Sequence, residues 1–282
     1  MCNNRDDNIA LKYGAYSSFK TDAEPSLTEY YGESPRDEVE RLLSIYTKSD
    51  CKMLDIGCGA GHTMRNFSPR VKEFWGIDCN EELLLYASKV AKDNGLDNVK
   101  LIYGDTTSPD DVAKLPDDYF DVILSQRGPN MNEFLVKKLK EEGIFIQEYV
   151  GHFDVYPLKE IFGRRNYSPY DFYGVEAIIC RYAEIELFPV SIKEYFYNEY
   201  YADIEHLKSY LVQQQGANLS NWRLPNRPYE EDLDRVSLEL YAKYNMTSKG
   251  IRLMRHRNIF VFRKTRVSYY PVDSIKLFKH QP

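Results

Sequence analysis

The period of apolar and polar positions changes several times along the chain, and each change marks an element. Residues 1–33 show no period. They are polar, with Tyr13, Tyr16, Tyr30 and Tyr31 scattered among them, and read as a flexible arm or lid. Ser34 then supplies an N-cap and Pro35 a first helical residue, and Val39, Leu42, Leu43 and Tyr46 recur behind them at helical spacing. Residues 51–56 are a short apolar run ending in glycines, the pattern of a buried parallel strand. A helical turn over 61–67, a strand over 73–77 and an amphipathic helix over 81–94 follow, the last closed by Gly95. Further strands are expected at 99–103, 120–124 and 144–150, with a helix over 131–140 before the last of them. Such alternation predicts an α/β fold with a doubly wound, mostly parallel sheet.

Beyond residue 150 the regularity loosens. A short helix is expected over 156–162, an irregular Tyr-, Pro- and Gly-rich stretch over 163–180 and an alternating strand over 192–200. A helix over 204–211, a polar loop over 213–230, a helix over 231–244 and a strand over 251–263 complete the pattern. The strands at 192–200 and 251–263 are expected to form an antiparallel pair on the sheet edge.

Composition narrows the class. A chain of 282 residues accommodates one α/β core with appendages, and 43% hydrophobic with 28% charged residues is ordinary for a soluble globular protein. No apolar run approaches the ~18 residues needed to span a bilayer, and the first residues lack an apolar signal region. A cytoplasmic protein with no membrane contact is expected. The net charge of -6 weighs against a broad phosphate-gripping surface, while leaving a local basic patch open. The five cysteines, Cys2, Cys51, Cys58, Cys79 and Cys180, are odd in number and show no metal-ligand spacing. They read as free thiols in a reducing compartment, with no metal site expected. The chain has 24 tyrosines, and they cluster between residues 149 and 201, where ten of them lie, as pocket lining or as packing.

Chemistry concentrates where strands end. Asp55-Ile56-Gly57-Cys58-Gly59-Ala60-Gly61 places glycines at alternate positions after a strand, allowing positive φ and close backbone approach. An acidic residue precedes the first glycine. A turn that cradles a pyrophosphate does not want a carboxylate there, whereas a ligand carrying an ammonium and a sulfonium does. Gly76-Ile77-Asp78 ends the next strand, where a carboxylate can accept ribose hydroxyls. Tyr103-Gly104-Asp105 ends the third, with an acceptor for an exocyclic amine, and residues 121–126, Asp-Val-Ile-Leu-Ser-Gln, end the fourth.

These four elements, in this order, resemble the class I (Rossmann-like) methyltransferases that use S-adenosylmethionine (SAM). The resemblance covers 51–150, with Gly143 beside the fifth strand. It implies a seven-stranded sheet, a methyltransferase domain over 34–282 with its cofactor core at 51–150, and an acceptor-side insertion at about 163–245. It further implies SAM binding by Asp55, Gly57, Gly59, Gly61, Asp78 and Asp105. Cys58, His62, Thr63, Cys79, Gly104, Thr106, Ser125 and Gln126 are expected around the same cofactor.

The acceptor side is less patterned. The Asn/Asp-Pro-Pro-Tyr/Phe run expected of a DNA-base amino-methyltransferase is absent after the fourth strand. Ser125-Gln126-Arg127-Gly128-Pro129 stands there instead and resembles a Ser-x-Arg-Gly-Pro element of a group of bacterial methyltransferases. Arg127 could hold an acceptor carboxylate or phosphate, or pair with a neighbouring acid. Glu148 and His152, ending the fifth strand, are candidates for a base or an orienting group, beside the plainer reading of polar strand-end residues. His256, between Arg255 and Arg257, reads as part of a basic strand surface. Tyr30 and Tyr31 could close over the cofactor. A small-molecule acceptor is the reading the acidic composition favours. An RNA or tRNA base stands as an alternative, with Arg164, Arg165 and Arg181 as its basic patch. The rRNA guanine-N1 methyltransferases share the core but carry a cysteine-rich zinc module not seen here. A non-catalytic SAM-binding protein is the third reading, and the sequence leaves the oligomeric state open.

Overall fold

The computed structural model describes residues 26–156, 158, 174–213 and 236–265. The expected helix over 156–162, the loop over 213–230, most of the N-terminal arm, and Arg164 and Arg165 lie wholly or largely outside them.

In chain order the elements are β1 (Leu27–Tyr30), α1 (Pro35–Tyr46), β2 (Lys52–Ile56), α2 (His62–Phe67), β3 (Glu73–Asp78), α3 (Glu81–Asp93), β4 (Val99–Tyr103), α4 (Pro109–Val112), β5 (Phe120–Gln126) and β6 (Leu139–Val150). Then come α5 (Val175–Ala183), β7 (Leu187–Tyr201), α6 (Ile204–Gln213), α7 (Val236–Asn245), β8 (Met246–Thr247) and β9 (Gly250–Lys264). One sheet runs β1-β7-β9-β6-β5-β2-β3-β4, with β8 paired to β9. Strands β2 to β6 are mutually parallel, and β9 lies antiparallel between β6 and β7. The seven anticipated strands are therefore present, and the short β1 and β8 extend the sheet.

Local chemistry sets the starts and stops. Ser34 Oγ accepts from Asp37 N at 3.1 Å, and the Asp37 carboxylate accepts from Ser34 N at 3.0 Å, a reciprocal cap on α1. Asn80 caps α3 by accepting from Leu83 N at 3.1 Å, and Gly95, at φ 63°, ends that helix. The sheet is buried on both faces. Met53, Phe74, Leu124, Ile146 and Ile259 pack against α1, α2 and α3. Leu54, Ile123, Phe145, Phe260 and Phe262 pack against Leu135 and against Ile178 and Tyr182 of α5. A smaller cluster joins α6 and α7 to the far ends of β7 and β9 through Tyr201, Leu207, Leu238 and Leu253.

Two stretches depart from the sequence pattern. The helix expected over 131–140 is a single 3₁₀ turn, Val136–Lys138, and β6 already begins at Leu139. Asn132 Oδ1 accepts from Phe134 N and Leu135 N at 3.0 and 2.9 Å, which fixes a turn, and Leu139 pairs with Phe120 in the sheet. Met131, Leu135, Val136 and Leu139 are all buried, so the apolar spacing that mimics a helix is satisfied without one. Helix α5 begins within the stretch expected to be irregular and runs past its end. It is held by Tyr182, whose hydroxyl donates to Gln147 Oε1 at 2.7 Å and accepts from Met131 N at 3.3 Å.

The chain leaves β2 for β3 and β4 on one side and returns to β5 on the other. The order of strands thus reverses between β2 and β5, and a crevice opens at their C-terminal ends.

Candidate ligand cleft at the C-terminal strand ends

A cleft opens at this reversal, lined by four turns. The first contributes Asp55, Gly57, Cys58, Gly59, Ala60, His62 and Thr63, the second Ile77, Asp78 and Cys79. Gly104, Asp105 and Thr106 come from the third, and Gln126, Arg127, Gly128 and Pro129 from the fourth.

Asp78 ties two turns together. Its Oδ2 accepts from Gly59 N and its Oδ1 from Asn80 N, both at 2.8 Å. Each oxygen keeps a second lone pair for a ligand hydroxyl. Gly59 has φ 51°, and a Cβ there would meet only Leu83, at 3.9 Å. A larger side chain would enter open space at the cleft, in a backbone conformation L-residues resist. Gly61 is different. Its Cβ would meet Met64 Cε at 2.8 Å and Ala87 Cβ at 3.1 Å, so this glycine serves the packing of α2 on α3 and does not line the cleft.

Asp55 is buried at the base. Burial, and then the charge of Asp78, push its carboxyl up to about 7, against a hydrogen bond from the Thr63 hydroxyl. That hydroxyl also lies 2.7 Å from Gln126 Oε1, linking the first turn to the fourth. Burial and the nearby Arg36 and Arg65 hold the His62 imidazole below its usual range, which keeps it neutral at pH 7. Burial, with Asp55 and Asp78 next, raises the Cys58 thiol, and burial and Asp78 raise Cys79, so neither is an activated nucleophile.

Asp105 is exposed at the opposite wall. Its Oδ1 accepts from Thr107 N and Thr107 Oγ1 at 2.8 Å, while Oδ2 has no partner among the described residues. The Thr106 hydroxyl is buried and has no partner there either, and Asn132 Nδ2 holds the Thr106 carbonyl at 2.8 Å. Three carboxylates and an unused hydroxyl thus ring the cleft, with Arg127 the one permanent cation among its described lining residues. That donor set fits a ligand with positive charge and hydroxyls. It does not fit a pyrophosphate.

The residues that the sequence suggests for an acceptor side fall in different surroundings. Ser125 is fully buried, and its hydroxyl donates to Pro129 O at 2.8 Å, shaping the fourth turn from behind. Arg127 adopts φ 52° in that turn, and its backbone N–H donates to Glu148 O at 2.9 Å. Glu148 is buried beside the cleft, with Arg127 Nε at 3.6 Å and Arg257 Nε at 3.8 Å. His152 is half-buried, edge-on to Phe153 at 5.1 Å, and does not line the cleft.

The basic strand surface expected around His256 is not a surface. Arg255, His256 and Arg257 are 8%, 1% and 2% exposed, because β9 runs between β6 and β7 instead of along an edge. Asp154 Oδ1 accepts from Arg255 Nε at 2.9 Å, His256 N at 2.9 Å and Arg257 Nη1 at 2.6 Å. The His256 ring stacks on Phe196 at 4.2 Å, and its Nδ1 accepts from Phe153 N at 3.1 Å. Tyr30, on β1, lies over Tyr197 with ring centroids 4.9 Å apart, whereas Tyr31 is exposed and its hydroxyl accepts from Asn198 Nδ2. No sequence signal placed Arg257, Tyr197 and Asp154 together, since only the register of β6, β7 and β9 does so.

Residues 47–168 match the family model described as a methyltransferase domain. A stretch of 98 residues is 41% identical to the uncharacterized methyltransferase YcgJ of Bacillus subtilis (strain 168), covering 33% of this chain and 37% of that one. The match therefore spans little more than a third of its relative's length. The fold is similar to the structure of a functionally unknown protein from Deinococcus radiodurans R1, with a TM-score of 0.62 at 16% identity over 93% of this chain and 100% of that one. The structure of YcgJ from B. subtilis aligns with a TM-score of 0.56 at 19% identity over 83% of this chain and 100% of its own. The [4+2]-cyclase SpnF aligns with a TM-score of 0.53 at 14% identity over 92% and 93% of the two chains. Fold likeness at these identities speaks for architecture alone.

Proposed function

We propose that the cleft binds SAM and that the protein transfers its methyl group to a small-molecule acceptor. The observation that carries this reading is the ring of Asp55, Asp78 and Asp105 around a positive-φ glycine turn at the point where strand order reverses. The methyltransferase-domain match over the same residues supports it. The Ser-x-Arg-Gly-Pro run at 125–129 would align it with the bacterial group carrying that element.

In this reading Asp78 takes the ribose hydroxyls through its spare lone pairs. Asp105 Oδ2 and the Thr106 hydroxyl serve the adenine side. Asp55 and Thr63, with the backbone of Gly57 and Gly59, receive the cationic amino-acid end. SAM, when bound, supplies an electrophilic methyl group. The chain supplies position, by holding the acceptor lone pair in line and excluding water. The acceptor would enter beside Arg127 and Glu148, at the ends of β5 and β6.

Calorimetric titration with SAM tests the proposal. Binding is expected, and Asp78→Ala is expected to weaken it by about tenfold or more while the melting transition persists. Lack of SAM binding by the wild-type chain overturns the reading.

A further inference from the structure

Gln126, Glu148, Arg257 and Tyr197 share one face of the sheet with the apolar Leu124, Ile146, Ile259 and Tyr195, Glu148 lying directly opposite Ile259 and Arg257 opposite Tyr195. The apolar side chains belong to the core, and Gln126 lines the cleft, where its neighbour Arg127 stands beside Glu148. Glu148 is 7% exposed, yet no described residue hydrogen-bonds to its carboxylate oxygens. It is held by charge alone, between Arg127 Nε at 3.6 Å and Arg257 Nε at 3.8 Å. Arg257 Nε is buried and likewise without a hydrogen-bond partner among the described residues. A buried carboxylate with its lone pairs unused is costly unless something pairs with it. Two guanidinium groups lie within 4 Å of it, and no described residue uses its hydrogen-bonding capacity. Tyr30 stands at the same place. Burial, with Tyr197, Glu199 and Glu148 acting next, raises its hydroxyl to about 12.

We infer that the acceptor is a small zwitterion, an α-amino acid, whose amino group lies on Glu148 and whose carboxylate lies on Arg127. The inference rests on the SAM reading above and goes beyond it by naming the acceptor class. Its geometry is a square of alternating charges. Arg127 and Glu148 form one edge, 3.6 Å long. The ammonium nitrogen and carboxylate oxygen of an α-amino acid are separated by two bonds and a C–O bond, or about 3 Å, which matches that edge. Each charge of the ligand then faces its opposite without parting the protein pair. A ligand with one charge satisfies only one corner and leaves the other repelled.

The reaction balances on this arrangement. The ammonium group gives a proton to Glu148, which passes it to solvent. The freed nitrogen lone pair forms the N–CH3 bond as the S–CH3 bond breaks, and its electron pair remains on sulfur. Sulfonium becomes thioether, amine becomes N-methylamine, and one proton is released.

The test uses the full chain with S-adenosylhomocysteine present for binding and labelled SAM for turnover. The probes are the individual α-amino acids, acetate and methylamine. One or more α-amino acids should bind at millimolar concentration or below and acquire label, and acetate and methylamine should do neither. Arg127→Met should raise KM for that amino acid at least about tenfold with a smaller change in kcat, and Glu148→Gln should chiefly lower kcat. Arg127→Lys keeps the charge and should recover part of the KM, which a purely structural arginine would not show. SAM binding without binding or labelling of any α-amino acid overturns this inference alone. Failure of SAM itself to bind overturns the cofactor reading and this one together.

Discussion

Asp55 shows how one buried side chain couples ligand, proton and stability. Its carboxyl is raised from 3.8 to about 7, first by burial and then by Asp78. Between those values the native chain keeps a proton that the unfolded chain has lost. The group's contribution to stability is therefore full at low pH, and it is lost as pH rises through about 7. Thermal melting followed against pH should show this fall in the ligand-free protein, and Asp55→Asn should flatten it. An unchanged profile would remove Asp55 from the account. A cationic ligand works against the protonated form, so SAM binding near neutral pH should release protons. Titrations in buffers of different ionisation enthalpy would detect that release. Gly59 makes a complementary case. Gly59→Val imposes a β-branched residue at positive φ and fills the cleft beside Asp78. It should abolish SAM binding, and retained affinity would place the ligand elsewhere.

At the scale of the element, β9 carries the strongest conflict with local expectation. An Arg-His-Arg-Asn run has the composition of a surface, yet it lies in the middle of the sheet and is buried. What makes this tolerable is Asp154, brought in by the turn after β6. It accepts from two guanidinium groups and the His256 backbone, and Glu199 pairs with Arg255 from β7. Asp154→Ala leaves two buried cations short of their counter-charge and should cost about 3–5 kcal/mol in denaturant unfolding. A loss within the range of ordinary surface substitutions would mean that water replaces the carboxylate. The segment 131–140 teaches the same lesson in reverse. Its apolar spacing is helical, but Asn132 closes a turn and Leu139 is claimed by Phe120. Pairing in the sheet outweighs a weak helical preference.

For the whole molecule, charge and linkage give the clearest expectations. With a net charge of -6, no retention of tRNA is expected at low salt in a mobility-shift assay. Retention that weakens as salt rises would bring back the RNA reading. No described helix is long and apolar enough to cross a membrane. Ligand binding draws on the whole cooperative unit, because the cleft is made of turns from four strands packed in one sheet. SAM at a hundred times its Kd should therefore raise Tm by about 5 °C. No shift at that concentration would indicate that the cleft does not bind SAM.

The parts legible in the sequence are those that a few consecutive residues decide. Ser34 and Asp37 cap a helix, Gly95 ends one, and the glycines after Asp55 take positive φ because their own lack of Cβ permits it. Asp55, Asp78 and Asp105 were readable as a set because parallel strands place their C-terminal ends side by side, so that chain position alone locates each acid. Gly61 and Ser125 could not be separated from the lining residues in this way, since their roles depend on Ala87 and Pro129. Tertiary structure alone decided the charged cluster beside the cleft. Tyr30, Arg127, Glu148, Tyr197 and Arg257 lie far apart in the chain, and the antiparallel register of β1, β7 and β9 against β6 gathers them. That register is set by which faces of those strands are buried, a property of the whole sheet. Local preference therefore determined the turns of the cleft, and global burial determined the charges beside them.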